Sequence, residues 1–276
     1  MKTVVLSPEE VLAGYDDVSQ LYPPVPPMSM WRAWECAAYR RYALPEPMLD
    51  VGCGDGAFFR LLWPEARDVV GVEMDPGVAD AARRSGVYRE VHVTPAHLAP
   101  LPAYGLAGAF ANCSLEHMDH LPRVLRRVQA SLRPGAPFLL SVVTQHFLEW
   151  ATLPKLVAAV GEPARAQALQ AEYERYHHLV SPLPPEVWSR HLGAAGFDVE
   201  EHVPILPELT SRLFLLLDHL WHVRRPPGEV GDVLPSYLAG LPGFPAAFRQ
   251  VLAAVMQVEP NWSAGSGAIF LARKRS

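Results

Sequence analysis

The chain predicts an α/β fold, an open and mostly parallel sheet with helices on both faces, and three observations carry that expectation. In the first, a short apolar run, Met48-Leu49-Asp50-Val51, meets the glycine-spaced turn Gly52-Cys53-Gly54-Asp55-Gly56 and then a helix-like pattern from Ala57. The second is Val69-Val70-Gly71-Val72-Glu73, another apolar run, closed by an acid. The third is residues 138–143, nearly continuous in apolar side chains, as a strand buried on both faces requires.

Taken in order, Ser7-Pro8-Glu9-Glu10 is a helix start, with a capping serine, proline in the first turn and an acid three residues on. The proline-broken stretch 21–27 reads as non-helical, and 31–42 as a helix with Trp31, Trp34, Ala38 and Tyr42 on one stripe. Residues 57–63 form the helix after the glycine turn and 68–73 the second strand. Residues 76–85 form a helix opened by Pro76, 90–94 a third strand, 108–113 a fourth and 138–143 a fifth. The amphipathic helix 121–132 carries Arg123, Arg126 and Arg127 on a solvated face. Beyond residue 146, helices are expected at 164–178, 186–195, 210–223 and 245–258. No solenoid-type repeat or low-complexity linker interrupts the chain.

Half of the 276 residues are hydrophobic, enough for a sizeable core, and 28 are proline, which implies short, stiff connections. The net charge of -5 and the lack of a basic block argue against a nucleic-acid partner. Cys36, Cys53 and Cys113 stand at no metal-binding spacing and fit a reduced, cytoplasmic setting. No signal-peptide core opens the chain, and the apolar run at 213–217 is stopped by Asp218, so no membrane span is expected. Of two histidine–acid groupings, His117-Asp119-His120 lies in the loop at the carboxyl end of the fourth strand, where His117 reads as structural or cofactor-adjacent, and Asp218-His219-His222 reads as a helix polar face; no metal is expected.

The glycine turn is built to hold a small polar ligand. Glycines on alternate positions open backbone angles closed to other residues and remove the Cβ atoms that would hold a ligand off the main chain. A dinucleotide loop wants G-x-G-x-x-G; here the third glycine comes one position early, which counts against an NAD(P)-dependent oxidoreductase. Glu73, just past the second strand, can accept both hydroxyls of a ribose, which requires a nucleoside without requiring a pyrophosphate.

The segments Leu49-Asp50-Val51-Gly52-Cys53-Gly54-Asp55-Gly56 and Gly71-Val72-Glu73-Met74-Asp75 resemble the first two motifs of the class I S-adenosylmethionine-dependent methyltransferases. Four further stretches resemble that family's later landmarks in the same order: Asn112-Cys113-Ser114-Leu115-Glu116-His117-Met118, Leu132-Arg133-Pro134-Gly135, Gly196-Phe197-Asp198-Val199 and, as the final antiparallel strand, residues 267–274. The resemblance implies a Rossmann-like sheet of seven strands. It implies one domain over 1–276, with a core at about 31–146, 185–206 and 265–276, and helical lid elements at 1–30, 147–184 and 207–264 that favour an apolar pocket. It implies S-adenosylmethionine as cofactor, S-adenosylhomocysteine as product, and a small, partly apolar methyl acceptor of unidentified chemistry; oligomeric state is open.

It also assigns residues. Gly52, Cys53, Gly54 and Gly56 give backbone access to the ligand, Glu73 takes the ribose hydroxyls and Met74 packs on adenine. Asp50 orients the loop or the ligand's ammonium, which Asn112 contacts through its carbonyl. Where the family places an adenine-binding acid this chain has Thr94-Pro95-Ala96-His97, so adenine falls to Ala96 and His97. A folded-over N-terminal arm would bring Tyr15, Tyr22 or Trp31 to the cleft. His117, His146 and Tyr22 are the candidate bases, with His177 behind them, should the acceptor need deprotonation. The missing adenine acid and Ala107, where the family commonly has Asp, keep open a non-catalytic or regulatory nucleoside-binding protein.

Overall fold

In the computed structural model, residues 1–22 and 25–276 are described. Strand β1 (Lys2–Thr3) leads into helix α1 (Pro8–Leu21), which opens as expected: Glu10 donates its N–H to Ser7 Oγ at 3.3 Å and Ser7 its N–H to Glu10 Oε2 at 2.8 Å. Helix α2 (Pro26–Tyr39) begins five residues before the expected start. Pro26 and Pro27, read as non-helical, instead occupy its first turn, where a missing N–H is no loss; Pro23 and Pro24 of the same stretch lie outside the described residues.

The central units follow in the expected order: β2 (Met48–Val51), α3 (Ala57–Leu62), β3 (Val69–Glu73), α4 (Pro76–Arg84), β4 (Tyr88–Val93), β5 (Gly108–Asn112), α5 (Leu121–Ser131) and β6 (Pro137–Val143). Asp75 caps α4 by accepting the Val78 N–H at 2.9 Å. Then come α6 (His146–Glu149), α7 (Thr152–Ala159), α8 (Pro163–Tyr176), α9 (Pro185–Ala194), β7 (Phe197–Ile205) and α10 (Glu208–Trp221). A two-stranded ribbon, β8 (Arg224–Arg225) with β9 (Gly228–Glu229), precedes α11 (Leu234–Ala239), α12 (Phe244–Gln257) and β10 (Gly267–Lys274).

The main sheet runs β1-β7-β10-β6-β5-β2-β3-β4, and β10 alone is antiparallel to its neighbours. Among the described residues it has eight strands, not the expected seven. The addition is β1, which pairs parallel with the edge of β7, Lys2 opposite Glu201 and Thr3 opposite His202. Two residues are too few to show an alternating pattern, and the pairing is dictated by the exposed edge they cover.

One face of the sheet packs on α1 to α4, α10 and α12, and the other on α5 and α9. Strand β6 serves both: Phe138, Leu140 and Val142 point to the second face, Leu139 and Val143 to the first. Ser141, also on the first face and fully buried, meets Glu35 of α2. Just past the carboxyl end of β6, Phe147 packs against Trp31, Phe214 and Tyr173, with ring centroids 6.0, 6.0 and 5.6 Å away. That cluster anchors α8 and α10 at the end of the sheet where ligands bind in open parallel folds. It also overturns one expectation: Asp218 and His219 of α10, read as a solvated polar face, are buried beneath α8. Among the described residues no single helix is long and apolar enough to cross a membrane.

Candidate functional site

Strand β2 is where the connections reverse, its neighbours β3 and β5 following it on opposite sides, so the crevice beyond it is the natural ligand position. The turn leaving β2 has the geometry its glycines imply: Gly52, Gly54 and Gly56 have φ of 71°, 55° and 77°, a region that penalises a Cβ. Gly52 and Cys53 donate their N–H groups to Val72 O at 2.8 and 3.0 Å, which ties the turn to β3.

Glu73 closes the other side. Its carboxylate accepts from Gly54 N at 3.1 Å, Met74 N at 2.7 Å and Asp75 N at 3.0 Å, so the acid is held at the rim of the glycine turn. Asp50, almost fully buried beneath the turn, accepts the Tyr88 hydroxyl at 2.7 Å. Tyr88 escapes a sequence reading that begins the third strand at residue 90. Its ring fits because Gly56 and Gly71 lack side chains: a Cβ would come within 2.7 Å of it at Gly56 and 3.1 Å at Gly71.

Two cavities meet at Gly52. The smaller, about 100 Å³, is lined by Asp50, Gly52, Cys53, Gly54, Gly56 and Asn112, and also by Tyr22 and Arg32. The larger, about 410 Å³, is lined by Gly52, Glu73, Met74, Ala96 and His97, and also by Ser114, His117, Asp119 and His120. All ten positions assigned to the cofactor therefore face one of two adjoining spaces. Of the candidate bases, Tyr22 lies on the smaller cavity and His117 on the larger. His146 lines neither; its ring stacks on Trp150 at 4.2 Å and its Nδ1 lies 2.7 Å from Glu149 Oε2. Trp31 and Tyr15 are core residues, Tyr15 donating its hydroxyl to Pro245 O at 3.0 Å.

Beneath the smaller cavity lies a polar network that sequence reading missed. The fully buried Glu35 carboxylate accepts from Trp31 Nε1 at 2.9 Å, Ser141 Oγ at 2.7 Å, Cys113 Sγ at 3.0 Å and, through its other oxygen, Arg32. Tyr39 donates its hydroxyl to Asn112 Oδ1 at 2.8 Å. Helix α2 thus grips the carboxyl ends of β5 and β6 and presents Arg32, the one cation facing the smaller cavity among the described residues, beside the glycine turn. The only sequence signal is an Arg-x-x-Glu pair within an otherwise apolar helix.

Glu116, in the short turn after β5, accepts Val143 N–H at 3.1 Å through Oε1, while Oε2 has no partner among the described residues. Burial lifts its carboxyl to about 8, and burial lifts that of Asp50 to about 7 against the lowering bond from Tyr88. Both acids hold their protons more tightly folded than unfolded. Their contribution is therefore intact at low pH and is lost as pH rises from the ordinary carboxyl range to about 7 or 8, by up to about 1.4 kcal/mol per pH unit for each group. Glu116→Gln is expected to lose roughly 2 to 4 kcal/mol less stability than the parent between pH 5 and pH 8 in urea titrations. Parallel pH curves for the two proteins would show that Glu116 is not the group responsible.

Residues 32–202 match the methyltransferase domain family, which covers well over half of the chain. The chain belongs to that family. Its Rossmann-like sheet is the fold expected of that family. The chain is 27% identical over 104 residues to a malonyl-[acyl-carrier protein] O-methyltransferase of Serratia marcescens, spanning 38% of this chain and 41% of that one. It is 26% identical over 166 residues to a ubiquinone biosynthesis O-methyltransferase of Pseudomonas aeruginosa, spanning 55% of this chain and 66% of that one. It also shares its fold with a solved S-adenosylmethionine-dependent methyltransferase of Thermotoga maritima, at a TM-score of 0.56 and 15% identity over 97% of this chain and 99% of the other.

Proposed function

We propose that the protein transfers a methyl group from S-adenosylmethionine to a small, partly apolar acceptor. The observation that carries this reading is the pair of cavities joined at Gly52, with a positive-φ glycine turn and a cation on one and an acid on the other. A nucleoside carrying an amino-acid tail matches that division. Arg32 would meet the tail's carboxylate, and the Gly52–Gly56 backbone would run alongside it. Glu73 would accept the ribose hydroxyls, and Ala96, His97 and Met74 would border the base.

Bound S-adenosylmethionine supplies an electrophilic methyl group. The chain's own contribution is to fix an acceptor in line and exclude water, which can account for a large part of a barrier, of order 7 to 11 kcal/mol for well-aligned reactants. His117 or Tyr22 would take a proton where the acceptor bears one, His117 being on the wall shared with a further cavity that Met74, Tyr176 and His177 also line. His146, engaged with Glu149 and Trp150, is the weakest of the three for that role. The segments 1–30, 147–184 and 207–264 would serve as lid elements of one domain, anchored by Phe147 and its aromatic neighbours. The three cysteines, all free, fit a cytoplasmic protein, and the relatives' names point to acceptors other than nucleic acid.

Calorimetric titration with S-adenosylmethionine and S-adenosylhomocysteine tests the cofactor, and release of the latter with a panel of carboxylic acids and phenols tests the transfer. Failure of the folded protein to bind either nucleoside would end the reading. Glu73→Ala is expected to weaken S-adenosylmethionine binding by about 1.5 to 3 kcal/mol, the scale of hydrogen bonds to a charged group. An unchanged affinity in the same titration would remove Glu73 from the ribose position.

A further inference from the structure

Outside that site, three side chains from two helices converge in a pattern that ordinary surface chemistry does not require. His177 follows the last turn of α8, while Asp218 and His222 stand four residues apart on the end of α10, one above the other. His177 Nε2 lies 2.9 Å from Asp218 Oδ2 and His222 Nε2 lies 3.5 Å from Asp218 Oδ1, and one ligand atom from each of the three falls within 4.8 Å of the other two. Metal–ligand bonds of about 2.0 to 2.1 Å in a tetrahedral site place neighbouring ligand atoms about 3.3 Å apart; the two contacts are of that length but use different carboxylate oxygens, so Asp218 would ligate through one of them with the three ligand atoms drawn in from within 4.8 Å of one another.

The outer contacts are those of a metal site as well. His222 Nδ1 lies 3.0 Å from Glu229 Oε2, which turns Nε2 toward Asp218, and Tyr173 donates its hydroxyl to Asp218 Oδ2 at 2.6 Å. A carboxylate behind a ligating imidazole fixes its tautomer and raises its donor strength. Two imidazoles and one carboxylate suit a first-row divalent transition ion and not magnesium or calcium, which prefer oxygen ligands.

We propose that His177, Asp218 and His222 bind a divalent transition ion, zinc being the natural occupant, with Glu229 orienting His222. Three protein ligands leave the fourth position to water. The ion joins α8 to α10, and so stiffens the wall formed by Tyr176 and His177 on the cavity that also touches Met74 and His117.

The test is equilibrium dialysis of the chelator-treated full-length chain against zinc chloride. About one zinc per chain is expected at micromolar free zinc, with a melting temperature that rises with zinc and, for cobalt, visible absorption of a low-symmetry site. His177→Ala and His222→Ala should each weaken binding at least tenfold, and Glu229→Gln, which keeps the ligand set, by about tenfold. Folding of the variants is checked by circular dichroism, and the parent's stoichiometry stands whatever the variants do. The proposal is overturned if the folded parent takes up no zinc at about 100 µM, or if its zinc is retained unchanged in both histidine variants. None of these measurements uses S-adenosylmethionine, so their failure is separate from failure of the methyltransferase reading.

Discussion

Glu35→Ala is expected to lower the free energy of unfolding by about 3 to 5 kcal/mol, the cost of leaving a buried ionic partner uncompensated. The side chain is fully buried, yet it accepts from Trp31, Arg32, Cys113 and Ser141 together, so its removal orphans groups on α2, β5 and β6 at once. Arg32 is affected most: burial by itself would lower its pKa, and the neighbouring carboxylate is what raises it above its ordinary value. In a chain of this size the loss should lower the melting temperature by about 10 °C. Glu35→Gln, which keeps an acceptor toward Trp31 and Ser141 but not the charge toward Arg32, should fall between the two. A Glu35→Ala protein within 1 kcal/mol of the parent by urea titration would mean that the network is not what holds α2 to the sheet.

Gly52→Ala should cost about 2 to 4 kcal/mol of stability, and S-adenosylmethionine affinity should drop by about a hundredfold. The added Cβ would sit 2.5 Å from Ser114 Cβ and 3.0 Å from its Oγ, at a φ of 71° that already disfavours any side chain. Ser114 has little freedom to retreat, because its hydroxyl donates to Val51 O at 2.7 Å. The turn must shift, and both cavities share it. Gly54→Ala separates the contributions: its φ is 55°, but a Cβ there has nothing within 4 Å, so only about 1 to 2 kcal/mol of backbone strain is expected. Equal stability losses for the two variants would show that the Ser114 contact plays no part.

What could be read in advance was local. The order of strands and helices from β2 to β6 follows from period and from glycine and proline placement, and residues 267–274 coincide with β10. The shape of the turn was legible for the same reason, since alternating glycines at positive φ state their own backbone, whereas the cofactor roles given to the surrounding residues come from the family resemblance and remain a proposal. What escaped reading depends on parts of the chain far apart in sequence. Glu35 looks like a helix polar position until β6 brings Ser141 to it from 106 residues away. Tyr88 is an ordinary strand residue until Gly71 makes room for its ring. Asp218 and His219 carry polar letters whose burial is decided by α8, and β1 is too short to have a pattern at all.

The placement of β10 has a consequence for how the molecule comes into being. Strands β6 and β7 are both synthesised before it and, among the described residues, are joined in the sheet only through its hydrogen bonds, although Phe138 and Phe197 also meet directly, ring centroids 5.4 Å apart. Until residues 267–274 are made, the two sections of the sheet lack the backbone ladder that joins them, and each has an open border rich in buried-type side chains. The ladder is completed only by that strand, and a nascent chain stalled before it would leave both borders open to pairing with other chains.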